Sequence, residues 1–328
     1  MYYNLSVNFD EINPKYSLSK TNIETIDEIE KLLDCIKIDK RLKTNMRKKS
    51  QVRSIYSSLA IEANSLSLED VNNIFNSKKI VGIKKDIQEV KNAIEAYNNI
   101  DKYNWRKQKD LNNVHTVLMK YFDDDNGKYR SHGEGVKRGN KIIYQAPESI
   151  LVPNLMDSLF KYIKENEKTI HPLILSSLFH YYFVYIHPYT DGNGRTARFW
   201  VSLMLSDYNE AFAYLPIEET IYKYQKQYYK AIDSCHGNGN ANVFVSFMLK
   251  VIKETINTTQ KTTQKKINKN QEKILQLISE NPNITRNELS DKVGITSDGV
   301  KYNLDRLKKE NIIKRIGPDK GGYWKIVR

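Results

Sequence analysis

His187-Pro188-Tyr189-Thr190-Asp191-Gly192-Asn193-Gly194-Arg195-Thr196-Ala197-Arg198, running into the apolar segment Phe199 to Leu205, is the stretch on which the reading of this chain turns. It sets one imidazole, one carboxylate, one amide, two glycines and two guanidinium groups beside the start of a helix. Glycines adopt positive φ cheaply, so Gly192 and Gly194 let backbone N–H groups turn inward around an anion. A helix beginning near Gly194 aims its positive dipole end at the same point. Arg195 and Arg198, three apart, share one helix face and can clamp successive phosphates. Asp191 is placed to hold a divalent cation that bridges phosphate oxygens. His187 titrates near neutrality and can take a proton from an incoming hydroxyl. The pattern predicts a phosphate-handling site.

The loop resembles the Fic signature, His-Pro-Phe-x-[Asp/Glu]-Gly-Asn-Gly-Arg-x-x-Arg, and departs from it only at Tyr189, which keeps the aromatic ring and adds a hydroxyl. Upstream, Ser58-Leu59-Ala60-Ile61-Glu62 resembles the inhibitory motif of that family, [Ser/Thr]-x-x-x-Glu-[Gly/Asn]. Ala63 stands where the motif has Gly or Asn, and Asn64 follows one place later. Ser58 and Glu62 are four apart, one residue too far for a capping box, so helix initiation does not account for the pair. The resemblance implies a mainly α, Fic-type helical bundle with a small β-hairpin flap. It implies transfer of AMP from ATP to a Ser, Thr or Tyr hydroxyl of a protein, including the chain itself, with release of pyrophosphate. His187 is then the base, and Asp191 the Mg²⁺ ligand. Gly192, Asn193 and Gly194 cradle the α- and β-phosphates, and Arg195 and Arg198 hold the β- and γ-phosphates. Glu62, with Ser58, occupies Arg198 and leaves ATP in an unproductive pose. Relatives with near-identical loops move other phosphate-containing groups, so that variant stays open.

On the near side of the loop, Pro172 to Ile186 is apolar almost all round, which predicts a buried central helix. His180 on it, His115 on a preceding helix and His171 before Pro172 read as packed or helix-start residues. Between Tyr129 and Pro147 the β-prone run Lys141 to Tyr144 follows several glycines, predicting a hairpin centred on Arg138-Gly139-Asn140-Lys141. It lies where the family has its flap, whose exposed edge pairs with the target segment, and makes Ile142, Ile143 and Tyr144 the target-docking residues. Toward the N-terminus, residues 1 to about 20 read as an extended arm. Thr21 reads as an N-cap before Ile23, Ile26 and Ile29, and Ser67 to Asp70 as a capping box. A basic run, Arg41, Lys43, Arg47, Lys48, Lys49 and Arg53, reads as a solvated helix face. Beyond the loop a helix is expected over Glu219 to Ile232, followed by a loop at His236 to Asn240. Its tyrosines resemble the family segment beside the adenine, with Tyr229 as the base contact.

The whole chain carries 52 Lys and Arg against 39 Asp and Glu, a net charge of +13. From Val251 onward there are 17 against 9, so the tail holds much of that excess and points to an anionic partner. Its three short helices and a terminal hairpin resemble a winged helix-turn-helix, the third helix starting at a Ser297 cap. Acidic Asp298, Asp305 and Glu310 sit among its basic residues, so DNA and a docked protein are both open as partners. The expected domains are an N-terminal helical region at 1–105, a catalytic core at 106–257, a linker at 258–269 and the winged helix at 270–328. Cys35 and Cys235 offer no disulfide framework. With no leader-like N-terminus and no run of about 18 apolar residues, the chain is expected to be soluble and cytoplasmic, with no membrane partner. A nucleotide-sensing, DNA-binding regulator is the alternative function.

Overall fold

The computed structural model describes residues 12–36, 43–122, 125–138, 141–264, 268–309, 312–318 and 321–327. Arg41, Asp123, Asp124, Glu310 and the Gly139-Asn140 tip expected for the hairpin lie outside the described residues, as does part of the N-terminal arm. The chain is mainly helical and divides between Thr258 and Thr259 into two compact units.

In the first unit the elements are α1 (Lys20–Asp34), α2 (Lys43–Ile61), α3 (Leu68–Phe75), α4 (Lys84–Asn98), α5 (Gln108–Leu118), β1 (Gly135–Arg138), β2 (Lys141–Gln145) and α6 (Val152–Asn166). Then come α7 (Pro172–Ile186), α8 (Asn193–Tyr208), α9 (Ile217–Lys223), α10 (Gln225–Asn238) and α11 (Asn242–Gln264), which begins in this unit. Helix α7 has no polar face, and nearly every side chain on it is buried. Such a helix is stable only if wrapped on all sides. It packs most heavily on α8, the helix that follows the His187 loop, so the loop is held at both ends by core elements. Helices α1 to α4 share that one hydrophobic core with α5 to α11. The described part of the arm, from Ile12, lies along the body. Its N–H groups at Ile12 and Lys15 donate to Ser158 Oγ and the Tyr182 hydroxyl at 2.8 and 2.9 Å.

Several local expectations change. Ser19, not Thr21, caps α1: its hydroxyl accepts from the Asn22 N–H, whereas Thr21 is already inside the first turn. The helix expected over Glu219 to Ile232 breaks at Tyr224 into α9 and α10. Helix α10 continues through His236 and Gly237 to an αL glycine at Gly239. Packing of His236 against Tyr144 and Tyr181 outweighs the roughly 1 kcal/mol that an internal glycine costs a helix. The capping box at Ser67 and Asp70 is present. Strands β1 and β2 pair antiparallel, with a register shift between Val136 and Lys137.

The second unit comprises α12 (Lys269–Glu280), α13 (Arg286–Val293), α14 (Ser297–Lys309) and the antiparallel pair β3 (Ile313–Ile316) and β4 (Tyr323–Ile326). Ile274, Ile278, Leu289, Val300, Leu304 and Leu307 build its separate core. Thr285 and Glu288 form a capping box, and Gly294 ends α13 in the left-handed region. The cap of α14 is Thr296, whose hydroxyl accepts from the Gly299 N–H, rather than Ser297, the first helical residue. The segment read as a linker starts as the last turns of α11; residues 265–267 lie outside the described residues. No helix among the described residues is long and apolar enough to cross a membrane.

Candidate active site

His187 caps α7 in the left-handed conformation, φ 51°, so the chain turns sharply as it leaves the buried helix. The imidazole Nδ1 is buried and turned toward the Val184 carbonyl without a hydrogen bond of ordinary geometry. Nε2 is the nitrogen left to accept a proton. Burial holds the His187 pKa below the ordinary imidazole value, so the neutral, base-competent form prevails at pH 7.

The loop then closes on itself. Asn193 donates to the Tyr189 carbonyl at 2.7 Å and accepts from the Tyr189 N–H at 3.0 Å. Its side chain is therefore committed to the loop, and its backbone N–H is what it can offer a ligand. The Tyr189 ring stacks on His115 with centroids 3.6 Å apart, and its hydroxyl donates to Asn112 Oδ1 at 2.6 Å. His115 Nδ1 accepts from the Gly127 N–H, so Nε2 carries the proton and donates to the Asp191 carbonyl at 2.9 Å. The buried histidine expected only to pack thus fixes the backbone of the acidic residue.

Gly192, at φ 78°, precedes α8, and a Cβ there would lie 2.6 Å from Met119 Sδ. Gly194 is needed for a different reason than positive φ. It lies within the helix, and a Cβ on it would come 2.5 Å from Glu62 Oε1 and 3.0 Å from Arg198 Nη1. An anion already sits at the N-terminus of α8, and it is the Glu62 carboxylate.

Arg198, whose side chain is 1% exposed, donates from Nη2 to Glu62 Oε1 at 2.8 Å and to the Ser58 carbonyl at 2.9 Å. Its Nε donates to Ser58 Oγ at 3.0 Å, while Nη1 is buried without a hydrogen-bond partner. Arg195 donates to Asp191 at 3.0 Å and to Glu89 of α4 at 3.3 Å. Burial pushes the Asp191 pKa up, but Arg195 and the Gly192 N–H outweigh it and hold the carboxylate charged. Among the described residues no group of three or more His, Cys, Asp or Glu could hold a metal. The exposed Asp191 carboxylate can supply one ligand to a cation that takes the rest from phosphates and water, a set that suits Mg²⁺.

The segment carrying Ser58 and Glu62 ends in a Schellman arrangement: Asn64 N–H donates to the Leu59 carbonyl and Ala63 N–H to that of Ala60. Ala63 occupies the αL position at φ 65°, where Gly or Asn is the low-cost choice. Asn64 compensates by donating to Glu89 Oε2 at 2.8 Å. Glu89, almost fully buried, therefore bridges the end of α2 to Arg195. On the other wall, Tyr229 lies beside Arg198 and its hydroxyl donates to the Ile61 carbonyl at 3.4 Å. Tyr228 below it bonds the buried His180 at 2.9 Å. Tyr144 of β2 turns inward, its ring stacked on His236 and its hydroxyl donating to the Tyr185 carbonyl at 2.7 Å. Ile142 and Ile143 lie on the same strand, Ile143 at the register shift.

The sequence reading missed Arg130, Glu89 and the loop-fixing role of His115. A glutamate on the apolar face of α4 was the available signal for Glu89; Arg130 carried none, because its partners are all backbone carbonyls.

A buried helix feeding a glycine loop, a second helix crowned by two arginines, and a flanking hairpin define a Fic domain. Residues 105–205 match the model of the Fic/DOC family, and residues 267–314 that described as winged helix-turn-helix DNA-binding. The chain thus carries a Fic domain at residues 105–205, followed by a segment that matches a winged helix-turn-helix. The protein adenylyltransferase Fic of Nematostella vectensis is 27% identical over 218 residues, covering 64% of this chain and 48% of that protein. The protein adenylyltransferase Fic of Drosophila melanogaster is 25% identical over 252 residues, covering 73% and 48%. The chain thus spans about half the length of the curated relatives it matches. A Fic family protein of solved structure from Desulfovibrio desulfuricans G20 is 29% identical, with a TM-score of 0.73 over 96% of this chain and 98% of that one. Fic-1 of C. elegans, 20% identical with a TM-score of 0.60 over 75% and 73%, shares the fold.

Proposed function

We propose that the chain transfers AMP from ATP to a Ser, Thr or Tyr hydroxyl of a protein, itself included, and that Glu62 holds this activity off. The observation that carries the reading is the Glu62 carboxylate seated against Gly194 and Arg198: an anion-sized seat at a helix N-terminus, already filled by a side chain that can leave. The orphaned Nη1 of Arg198 and Nε of Arg195 are further donors awaiting an acceptor.

In the proposed reaction His187 Nε2 takes the proton of the acceptor hydroxyl as its oxygen bonds to the α-phosphorus. The bond from that phosphorus to the oxygen bridging to the β-phosphate breaks, and pyrophosphate leaves. The N–H groups at the start of α8 bind the phosphates, and Arg195 and Arg198 hold the outer ones. Asp191 is the residue that would hold Mg²⁺, which supplies charge neutralisation on the leaving pyrophosphate. Tyr229 is positioned to line the base, and the β2 edge at Ile142 and Ile143 to pair with the target backbone.

The test is AMP incorporation from α-labelled ATP with Mg²⁺. Glu62→Gly should raise the label on protein well above wild type, and adding His187→Ala should abolish it. An unchanged signal in the first variant removes the inhibitory role; label surviving in the second removes the mechanism. Label arriving from γ-labelled ATP instead points to transfer of another phosphate-containing group. The winged-helix match supports a second reading, a nucleotide-sensing regulator that binds DNA. Salt-dependent gel-shift binding lost on deleting residues 259–328, with no turnover in Glu62→Gly, would favour it.

A further inference from the structure

Arg130 is 4% exposed, yet none of its hydrogen bonds goes to a carboxylate. Its Nε donates to the His187 carbonyl at 2.8 Å and its Nη2 to the Ile186 carbonyl at 3.3 Å. Its own backbone N–H donates to the Pro188 carbonyl at 2.9 Å. Three successive carbonyls, one on each side of His187 and its own, therefore end on one residue. Ile186 and His187 close α7, where the last carbonyls lack helical partners and the dipole is negative, so a guanidinium is stable there without an acidic residue. The remaining arms reach the flap. Nη1 donates to the His132 carbonyl just before β1, and Nη2 to the Pro147 carbonyl just after β2, at 2.8 and 2.6 Å. The hairpin base is closed by the Ala146 N–H on the Glu134 carbonyl.

We propose that Arg130 is a positioning residue that registers the flap against His187, so that a hydroxyl on a segment paired along β2 arrives at the imidazole. The planar fork is what makes this possible: one rigid group meets four carbonyls in set directions, which a lysine ammonium on a flexible stem does not reproduce. The proposal rests on the transferase reading above, and its experiment separates the two.

Arg130→Lys is made in wild type and in the Glu62→Gly background. In the Glu62→Gly background, kcat for AMP transfer should fall about 10- to 100-fold, the range for an ångström-scale misplacement of reacting groups. ATP affinity by calorimetry should change less than about threefold, because Arg130 touches none of the phosphate-loop donors. Independently of activity, amide exchange in the wild-type background should quicken together at Tyr144 to Ala146 and at Tyr189 to Gly192, leaving α2 as it was. Unchanged kcat overturns the proposal. So does an ATP affinity lost in step with kcat, which marks a merely structural arginine, and so does faster exchange on one side alone. If Glu62→Gly shows no transfer at all, the transferase reading fails; the registering role then stands or falls on the exchange result.

Discussion

Two buried guanidinium groups flank the same histidine-bearing turn, and they are satisfied in opposite ways. Arg198 is held by Ser58 and by the carboxylate of Glu62, whose side chain is 32% exposed and sits at the end of a helix finished by an alanine in the left-handed region. Arg130 is held by backbone carbonyls from three segments, none of which can turn away by a change of side-chain rotamer. A side-chain partner makes a contact that can be exchanged for a ligand; carbonyl partners make one that cannot. The Glu62 wall of the site is thus built to change and the flap wall to stay.

The largest expected effect tests that contrast directly. Arg130→Ala, leaving buried carbonyls without donors, should cost about 3–5 kcal/mol in urea unfolding, whereas Glu62→Gln, which keeps an acceptor facing Arg198, should cost about 1 kcal/mol. Equal costs would erase the distinction between the walls. Acid should weaken both. Burial, with Arg198 nearby, holds His180 beneath Tyr228 down at about 3, and burial holds His236 beneath Tyr144 down at about 4. These folded-state values lie below the unfolded value near 6.5, so the unfolded chain binds the proton first. Stability is retained above that value and lost as pH falls through it toward the folded pKa. At pH 5 His180 alone should cost about 2 kcal/mol relative to pH 7, seen as a lower melting temperature and diminished in a His180→Gln variant. The smallest effect sharpens the changeable wall. Ala63→Gly relieves the αL strain and should stabilise the end of α2 by up to about 1 kcal/mol, lowering the proposed AMP transfer relative to wild type. A rise in transfer would show that the strain serves inhibition rather than opposing it.

How much of this was legible in the sequence depends on the range of the interaction. Helix α7 was readable to both ends because an apolar run bounded by Pro172 and His187 is a local signal, and the capping boxes at Ser67 and Thr285 are local too. The loop was readable because its chemistry lies within twelve residues. Arg130 was not, since it meets the carbonyls of Ile186 and His187 from 56 and 57 residues away and carbonyls have no letter in a sequence. The same holds for His236, whose place in α10 is decided by the Tyr144 ring from the distant flap. Ala63 and Asn64 looked like a one-residue departure from the inhibitory pattern; the structure resolves it, Ala63 taking the turn and Asn64 gripping Glu89.

A guanidinium as dry as that of Arg198 has no water to fall back on when its partner departs. Vacating the seat and filling it are therefore close to a single event, more like changing the guard than opening a door. On that view the grip of the glutamate and the hold on an incoming triphosphate rise and fall against each other, and a variant that loosens one should be recognised first by how tightly it keeps the other.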